Sequence, residues 1–536
     1  MYNSVTSKAS PSASSVTIIH PQPNVNGQVV KLSVIDQIAP RDYISSYLFF
    51  SLAPDADKIR IFQLFKRALA KTVSDIPELA CCVEKRGGNS REEVELVFDC
   101  SQGARIHYKD YTSPELSNFW QSGTFEQLQR EHFPLKGMPR HVVFGTSAKL
   151  VEGIKLPALV VQCNFISGGL ILGSCLHVGP FLCPERLTSA LCIDGKTKNC
   201  NFVDCRILRI TLIRLQHVVG DGICNYIFHQ TMGMHLTALN NGLNIRTFPI
   251  TALDRSRLID GNQDVTLEDL PDWKLTEDPT SFLNPTDYKP TNLQTFENAI
   301  FSVSTERLAM LKRHISNNSP EANVNTMGAL GAFLWRHVVL ARDIDSSKYP
   351  EAKLSITVDA RGRIEDKLIP GNYWGNFSEP NAVARLPVAS LQRPLQPITP
   401  GRHEGSVYIE PARHIKRAVA AVNDTAVRRL VGLLNQMPKS TALTWNVDRY
   451  PGPDMLIVCL QAHRYNDIYF GQDLGYPSAM RVTVGDTENK PDGRCIVLPP
   501  RRGAGQGLEI ILQYDTSTLD RLESNVEFSR FFVRQN

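Results

Sequence analysis

The chain has 536 residues, of which 42% are hydrophobic and 21% are charged. This is the composition of a globular protein, and the length exceeds what one hydrophobic core ordinarily supports, so we predict two domains. The 58 basic and 54 acidic residues leave a net charge of only +4, which argues against nucleic acid or an anionic membrane as a partner.

Cysteine spacing and apolar runs narrow the class of protein further. The 12 cysteines show neither Cys-x-x-Cys spacing nor clustering with histidine, so we predict reduced thiols and no metal site. Residues 1–15 lack the apolar stretch of a secretory signal, and no run of about 18 apolar residues is present. We therefore expect a soluble, cytoplasmic protein, with a disordered lead-in over residues 1–28.

Apolar periodicity predicts the elements of the first half. A strand is predicted over 29–36, where the segment 32–37 ends it, and a second over 47–52. Apolar residues at helical spacing predict a helix over 58–73, and alternation predicts a strand over 93–98. The runs 158–165 and 168–177 are apolar enough to be buried strands of a central sheet.

The stretch 217–222, His-Val-Val-Gly-Asp-Gly, follows a strand-like run over 207–215 and precedes a helix-like run over 223–239. A histidine at a strand end can act as a general base in a cleft, so His217 is a candidate, with Asp221 holding the backbone or a partner arginine. The alternative is a packed histidine, with Asp221 as a helix N-cap. A second His-x-x-x-Asp match, His463 with Asp467, lacks this context.

The segment 178–216 does not fit its surroundings. It carries four of the 12 cysteines and a basic tract, and it has no clear amphipathic period until residue 206. Its removal would join His177 to His217 and give Leu-His-His-Val-Val-Gly-Asp-Gly. Its Val-Gly start and Gln end are compatible with intron borders. We interpret this anomalous insertion as a retained, in-frame intron or a wrongly assigned exon; a genuine surface insertion is the alternative.

Residues 255–295 are rich in Asp, Pro, Thr and Asn, which predicts a linker that crosses between domains. After it, strands are predicted over 299–303, 354–359, 455–460 and 507–514, and helices over 305–315, 326–342, 413–434 and 517–522. Helices and strands are mixed in both halves. The pattern therefore predicts α/β domains over 29–254 and 296–536, each with one core.

Three further motifs lie in the second half. Residues 358–363 read Val-Asp-Ala-Arg-Gly-Arg, residues 371–376 read Gly-Asn-Tyr-Trp-Gly-Asn, and residues 473–477 read Asp-Leu-Gly-Tyr-Pro. Glycine-asparagine pairs on both sides of two aromatic residues indicate a tight turn. Such a turn either has a plain structural role or shapes a pocket.

Taken in order, these motifs resemble those of the BAHD-type acyl-CoA-dependent O-acyltransferases, especially the fungal secondary-metabolite branch that includes the trichothecene 3-O-acetyltransferases. The family's His-x-x-x-Asp-Gly matches His217, Asp221 and Gly222. Its Val-Asp-x-Arg-x-Arg and its Gly-Asn-aromatic-aromatic-Gly-Asn match 358–363 and 371–376, and 473–477 is a degraded match to Asp-Phe-Gly-Trp-Gly. The family pattern runs its strand directly into the His pair, without a counterpart of 178–216.

The resemblance implies two chloramphenicol-acetyltransferase-like domains, with mixed sheets flanked by helices and a channel between them. It implies His217 as general base, reached by acyl-CoA, with acetyl-CoA expected, from one side and by a small-molecule alcohol from the other. Asp221 is expected to pair with Arg361 or Arg363, and Gly222 to support the same site.

The resemblance also assigns Asp473 and Gly475 to the scaffold near the channel. It implies no bound cofactor and no metal, leaves the CoA-contacting residues unassigned, and implies a monomer. Two other functions stay open. One is a condensation-domain-like reaction with a carrier-protein thioester, which a standalone chain argues against. The other is a CoA-fold binding or regulatory protein, made inactive by 178–216.

Overall fold

The fold was analysed in a computed structural model. It describes residues 12–535 except 40–43, 87–92, 100, 136–137, 139–142, 144–156, 177–217, 257–259, 276–294, 317–323, 366–368, 379–380, 396–406, 440–442, 483–492 and 504–506. His217 and the whole of 178–216 therefore lie outside the described residues, as do the strand predicted over 207–215 and most of the predicted linker.

The strands are numbered in chain order. Those that precede the His-x-x-x-Asp motif are β1 Ser14–Ile19, β2 Val29–Lys31, β3 Ile44–Ser51, β4 Cys82–Lys85, β5 Val94–Val97, β6 Ala104–Asp110, β7 Leu159–Ile166 and β8 Gly169–Leu176. Those that follow it are β9 Trp273–Leu275, β10 Phe296–Val303, β11 Glu351–Thr357, β12 Asn381–Pro387, β13 Leu443–Trp445, β14 Met455–Cys459, β15 Ala479–Val482, β16 Arg494–Val497, β17 Leu508–Asp515 and β18 Val533–Arg534.

The α-helices are numbered in the same way. They are α1 Val34–Ile38, α2 Lys58–Asp75, α3 Phe125–Arg130, α4 Gly222–Asn240, α5 Thr305–Ser316, α6 Thr326–Ala341, α7 Val388–Gln392, α8 Ile409–Ala421, α9 Asp424–Gln436, α10 Thr516–Ser524 and α11 Val526–Phe531. Among the residues that the structure describes, no helix is both long and apolar enough to cross a membrane.

Two large mixed sheets organise the molecule. The first has the strand order β1-β6-β7-β8-β3-β15, and the second has the order β12-β11-β14-β16-β17-β10-β18. Most neighbours are antiparallel, but β6 and β7 are parallel, as are β11, β14 and β16. The predicted fold class, an α/β protein with mixed sheets flanked by helices, is confirmed.

Strands β7 and β8 are buried along their whole length, because one face of the first sheet lies under α2 and α4 and the other under α3. Phe65 of α2 and Phe228 of α4 share one apolar core with Leu48 and Leu172 of this sheet. Continuous apolar runs are what a sheet covered on both faces requires, which is why the sequence predicted these two strands well.

Strand β15 comes from the second half of the chain but pairs antiparallel with β3 of the first sheet. Its Arg481 is buried and donates to both carboxylate oxygens of Glu509, at 3.0 and 3.2 Å. Glu509 lies on β17 of the second sheet, so a buried ion pair joins the two sheets. The predicted domain 296–536 thus contributes one strand to the sheet of the predicted domain 29–254.

The N-terminal region differs from the prediction. Ser14–Ile19, within the lead-in expected to be disordered, forms the edge strand β1 and pairs with β6. Only Ile19 of β1 is buried, as befits an edge strand, and Val16 and Ile18 are exposed. The strand predicted over 29–36 ends at Lys31, because Ser33 and Asp36 cap each other's backbone N–H groups and start α1.

Two further differences lie in the second half. The helix predicted over 413–434 is two helices, α8 and α9, because the side chain of Asn423 accepts a hydrogen bond from Ala426 N–H at 3.0 Å and caps a new start. The predicted linker 255–295 contains β9, which pairs with β13, and begins with a buried Arg255.

We predict that Glu509→Gln lowers the free energy of unfolding by about 3–5 kcal/mol, because Arg481 then keeps a buried charge without its counter-charge. Urea titration followed by tryptophan fluorescence measures the change. Arg501 also donates to Glu509, at 2.7 Å, but is partly exposed. Arg501→Gln is therefore the matched control, with an expected loss of about 1 kcal/mol or less. Equal losses in the two variants would contradict the assignment of the buried pair.

Candidate active site

The aspartate of the predicted motif begins helix α4. The Asp221 carboxylate is buried, and its Oδ1 accepts hydrogen bonds from Ile223 N–H at 3.1 Å and Cys224 N–H at 3.2 Å. Asp221 is therefore a helix N-cap, as the alternative interpretation of the motif proposed. A negative charge at this position also interacts favourably with the helix dipole.

The same carboxylate forms an ion pair with Arg361. Nη1 of Arg361 donates to Oδ2 at 2.9 Å, and Nη2 donates to Oδ1 at 3.0 Å. Both side chains are buried, with exposed fractions of 0% and 1%. A planar guanidinium matches a carboxylate in this two-point geometry, which a lysine cannot reproduce.

Asp221 is held ionised by its surroundings. Burial raises its pKa, but the charge and hydrogen bonds of Arg361, together with donation from Phe377 N–H and the Ser378 hydroxyl, outweigh burial. These last two donors reach Oδ2 at 3.0 and 2.9 Å. The pKa of Asp221 consequently lies well below its ordinary value, and both oxygens are occupied by donors.

Arg361 also fixes the glycine-aromatic loop of 371–376. Its Nε donates to Tyr373 O at 3.0 Å, its Nη2 to Gly375 O at 2.6 Å, and its Nη1 to Asp359 Oδ1 at 3.0 Å. One guanidinium thus joins the start of α4 to the motifs of 358–363 and 371–376. These motifs are separated in the sequence but meet in the fold.

The other predicted site residues lie elsewhere. Arg363 donates to Val419 O and Val422 O at the end of α8 and does not contact Asp221. Asp473 pairs with Arg60 of α2 at 2.6 Å, and Gly475 closes a turn with φ +64°. Arg361 is therefore the partner of Asp221, whereas Arg363, Asp473 and Gly475 stabilise other parts of the scaffold.

A second buried ion cluster, which the sequence analysis missed, lies beside the first. Arg255 donates to Asp36 at 2.7 Å and to Glu78 at 2.6 Å, and all three residues are buried. Asp36 also accepts from Asn376, through the backbone N–H at 2.7 Å and the side-chain amide at 3.0 Å. Asp36 lies within the segment 32–37, which the sequence analysis treated only as the end of a strand.

The turn between His217 and Asp221 is fixed by both clusters. Arg255 donates to Val219 O at 2.7 Å, and Val218 and Val219 are buried. A Cβ placed on Gly220 would lie 2.6 Å from Cys224 Cβ, so this close approach requires glycine. A Cβ on Gly222 would meet no described atom within 4 Å, so sterics do not explain that glycine.

The second His-x-x-x-Asp match has a different environment. Asp467 is exposed and pairs with Arg464 at 3.2 Å and with Arg502 at 3.6 Å. It neither caps an α-helix nor contacts a buried arginine. Among the described residues, no group of three or more histidine, cysteine, aspartate or glutamate side chains is placed to hold a metal ion.

We predict that Asp221→Asn lowers the free energy of unfolding by about 3–5 kcal/mol near neutral pH, because Arg361 loses its buried counter-charge. The folded pKa of Asp221 is depressed, so its contribution is complete above about pH 5 and is lost as the pH falls further. The difference in Tm between wild type and variant should therefore narrow in acid. Thermal melts between pH 3 and 8 measure it.

The exposed Asp467 supplies the matched control for this prediction. Asp467→Asn makes the same chemical change in the second His-x-x-x-Asp match, and we expect a change of at most about 1 kcal/mol, since surface ion pairs contribute little. A difference in Tm for Asp221→Asn that stays constant from pH 3 to 8 would contradict the assignment.

Two family models match this chain. The model of the Transferase family matches residues 249–529, and that of the trichothecene 3-O-acetyltransferase-like N-terminal domain matches residues 43–177. The second match ends where the anomalous segment 178–216 begins. Together the two models cover the strands of both large sheets apart from β1 at one edge and β18 at the other.

Similar proteins are fungal acyltransferases. Acyltransferase cm3D of Cordyceps militaris is 25% identical over 94% of this chain and 96% of its own length. Acyltransferase easC of Emericella nidulans is 27% identical over 94% and 95%. The crystal structure of F. graminearum TRI101 with coenzyme A and T-2 mycotoxin superimposes with a TM-score of 0.71, at 16% identity over 95% of this chain and 100% of that one. The chain therefore belongs to the Transferase family and is an acyltransferase with a trichothecene 3-O-acetyltransferase-like N-terminal domain.

Proposed function

We propose that this chain transfers an acyl group, acetyl in the simplest case, from acyl-CoA to a hydroxyl group of a small secondary metabolite. His217 is the general base, and the reaction proceeds through a ternary complex without an acyl-enzyme. The proposal is supported by family membership, by relatives named acyltransferases, and by the fold shared with a protein crystallised with coenzyme A.

The assignment of the base rests on one observation: both carboxylate oxygens of Asp221 already accept hydrogen bonds. Its two oxygens accept hydrogen bonds from two helix N–H groups, from Arg361, from Phe377 N–H and from the Ser378 hydroxyl. A carboxylate with this many donors and a depressed pKa is a poor proton acceptor. The other titratable group of the motif is the imidazole of His217, whose pKa in the unperturbed state lies near neutrality.

The proposed reaction has two steps. His217 takes the hydroxyl proton of the alcohol as its oxygen bonds to the thioester carbonyl carbon, which gives a tetrahedral oxyanion. The oxyanion collapses, the C–S bond breaks, and the imidazolium protonates the leaving CoA thiolate. General base catalysis of this kind contributes roughly 10²–10⁴-fold to the rate, since a neutral hydroxyl is a weak nucleophile.

The buried clusters have a positioning role in this proposal. A general base works only when its ring stays within hydrogen-bond reach of the hydroxyl. The turn 218–220 that follows His217 is held at Val219 O by Arg255, and Asp221 is held by Arg361. Two arginines thus restrain the backbone next to the base.

We predict that His217→Ala lowers acetyl transfer by at least about 10³-fold and leaves Tm within about 2 °C of wild type, because the change removes the base and not the buried ion pairs. Release of free CoA thiol from acetyl-CoA, with a library of small alcohols as acceptors, measures the rate. Turnover in the variant equal to that of wild type would remove His217 from the mechanism. Turnover in wild type with a carrier-protein thioester but not with acetyl-CoA would favour the condensation-type reaction.

The alternative is an inactive or regulatory CoA-fold binding protein, and the segment 178–216 is the observation that favours it.

We propose that this segment is an insertion, arising from a retained intron, between two flanks that lie in the same core. Leu176, Val218 and Val219 share one core, and a Cβ on Gly220 would lie 3.7 Å from Leu176 Cδ2. In the shortened chain two residues, which span at most about 11 Å, would join Leu176 to Val218.

We predict that deletion of 178–216 gives a folded protein with a Tm at least equal to that of the full chain and with higher acyl-transfer activity. Thermal melts and the thiol-release assay measure both properties. Unfolding or aggregation of the shortened chain would show that the segment is required for the fold. Sequencing of the mature transcript is an independent check, because a major message that retains the segment would contradict the intron origin.

A further inference from the structure

A small polar cluster is buried between helix α4 and the first sheet, where the surrounding core is apolar. Ser46 of β3 and Ser174 of β8 stand opposite each other in the sheet, and their hydroxyl oxygens lie 3.0 Å apart. Nε2 of His229 on α4 lies 3.1 Å from Ser46 Oγ and 3.0 Å from Ser174 Oγ. The side-chain amide of Asn225 donates to Ser46 Oγ at 3.2 Å. We call these four residues, each at most 1% exposed, the His229 cluster.

Measured hydrogen bonds join the His229 cluster to the site at the start of α4. Asn225 N–H donates to Asp221 O at 3.1 Å, and the Asp221 carboxylate is paired with Arg361. Asp221, Asn225 and His229 are spaced four residues apart, so they lie along one stripe of the helix. A continuous series of contacts therefore runs from Arg361, along two turns of α4, to the strands β3 and β8.

The His229 cluster also reaches the other flank of the proposed base. Ser174 lies two residues before Leu176, the last residue of β8, and Leu176 shares a core with Val218 and Val219. One hydrogen-bonded cluster thus fixes the end of β8 against the start of α4. His217 lies in the chain between these two elements.

The ring of His229 supplies direction to this contact more than stability. Its Nδ1 is buried and has no partner among the described residues, whichever tautomer the ring adopts, and such an atom costs free energy. Burial lowers the pKa of His229 to about 3, so the ring is neutral near neutral pH and forms no ion pair. Hydrogen bonds nevertheless fix a helix against a sheet more sharply than apolar contacts do.

We propose that His229 is a positioning residue for acyl transfer, which fixes the first turns of α4 against β3 and β8 and thereby holds the proposed base at its working distance from the acceptor hydroxyl. The inference rests on the proposed function of His217. A displacement of about 1 Å at a reacting group can lower a rate by roughly 10²-fold, so small movements of α4 are sufficient.

The variant His229→Leu separates positioning from stability. It leaves no further buried polar group without a partner, because Ser46 and Ser174 keep their mutual hydrogen bond. We expect kcat for acetyl transfer to fall at least about tenfold, KM for acetyl-CoA to stay within about twofold, and Tm to stay at or above its wild-type value. Thiol release from acetyl-CoA, with the alcohol that wild type acetylates fastest in the library of small alcohols, measures both constants, and thermal melts measure Tm.

The matched control is His235, a second buried histidine that lies six residues further along α4. Its Nε2 contacts the buried carboxylate of Asp75 at 3.0 Å and no member of the His229 cluster. His235→Leu removes a donor from that carboxylate, so we expect Tm to fall by at least about 2 °C and kcat, measured well below Tm, to stay within about twofold. The two variants should therefore affect kcat and Tm in opposite ways.

Two amide variants test whether the contact at Nε2 is what matters. The amide of glutamine lies as many bonds from Cα as Nε2 of histidine does, whereas the amide of asparagine ends at the position of Nδ1. We expect His229→Gln to keep kcat within about threefold of wild type and His229→Asn to be as slow as His229→Leu. The pH profile of kcat should keep its shape in all of these variants, because a neutral positioning residue exchanges no proton.

Each outcome decides between the inference and the proposed function. Wild-type kcat in His229→Leu, an equal loss of kcat in His235→Leu, or no advantage of His229→Gln over His229→Asn would overturn the positioning role alone. If His229→Leu is too unstable to assay, Ser174→Ala decides, because Ser46 still binds Nε2 there and wild-type kcat would again overturn the role. Unchanged turnover in His217→Ala, or no thiol release by wild type, would instead overturn the proposed function and the inference with it.

Discussion

The ion pair between Asp221 and Arg361 is the constraint on which the rest of the site depends. Neither charge can be solvated, because both side chains are buried, and breaking such a pair is strongly unfavourable. The remaining N–H groups of Arg361 donate hydrogen bonds to Asp359, Tyr373 O and Gly375 O. The start of α4 therefore has one position relative to the loop of 371–376. In the proposed mechanism this restraint also limits the movement of His217, four residues before Asp221.

A second buried carboxylate, that of Asp36, also binds the loop of 371–376. Asp36 accepts a hydrogen bond from Asn376, and Asp221 accepts hydrogen bonds from Phe377 and Ser378. Two carboxylates of the first half thus bind three consecutive residues of the second half. Arg255 completes the link through Val219 O. These polar, directional contacts between the halves lie beside an apolar one, in which Trp374 of the loop packs against Phe248 of the first half. Directional contacts define geometry more sharply than apolar burial, which tolerates sliding.

The sequence predicted the parts that depend on local pattern. Periodicity located α2, α4, β7 and β8, and the resemblance brought Asp221 and Arg361 together. The sequence did not show whether Arg361 or Arg363 is the partner of Asp221. The two arginines lie on one short turn, and only the fold shows which way each side chain points. Arg255, Asp36 and Glu78 were missed since they lie far apart in the chain, and burial of a charge leaves no periodic signal. The capping residues Ser33 and Asn423 were present but were read as parts of longer elements.

Strand β15 has a consequence for evolution of this fold. Because Ala479–Val482 completes the edge of the first sheet, the two halves are interlocked through the backbone as well as through side chains. A recombination event that exchanged everything after the linker would import a foreign edge strand along with the new second half. Such a hybrid survives only if the incoming strand matches the alternation of β3, as Ala479 and Met480 do here beside Phe49 and Leu48. The second half of this chain therefore carries a structural requirement that is set by the first half.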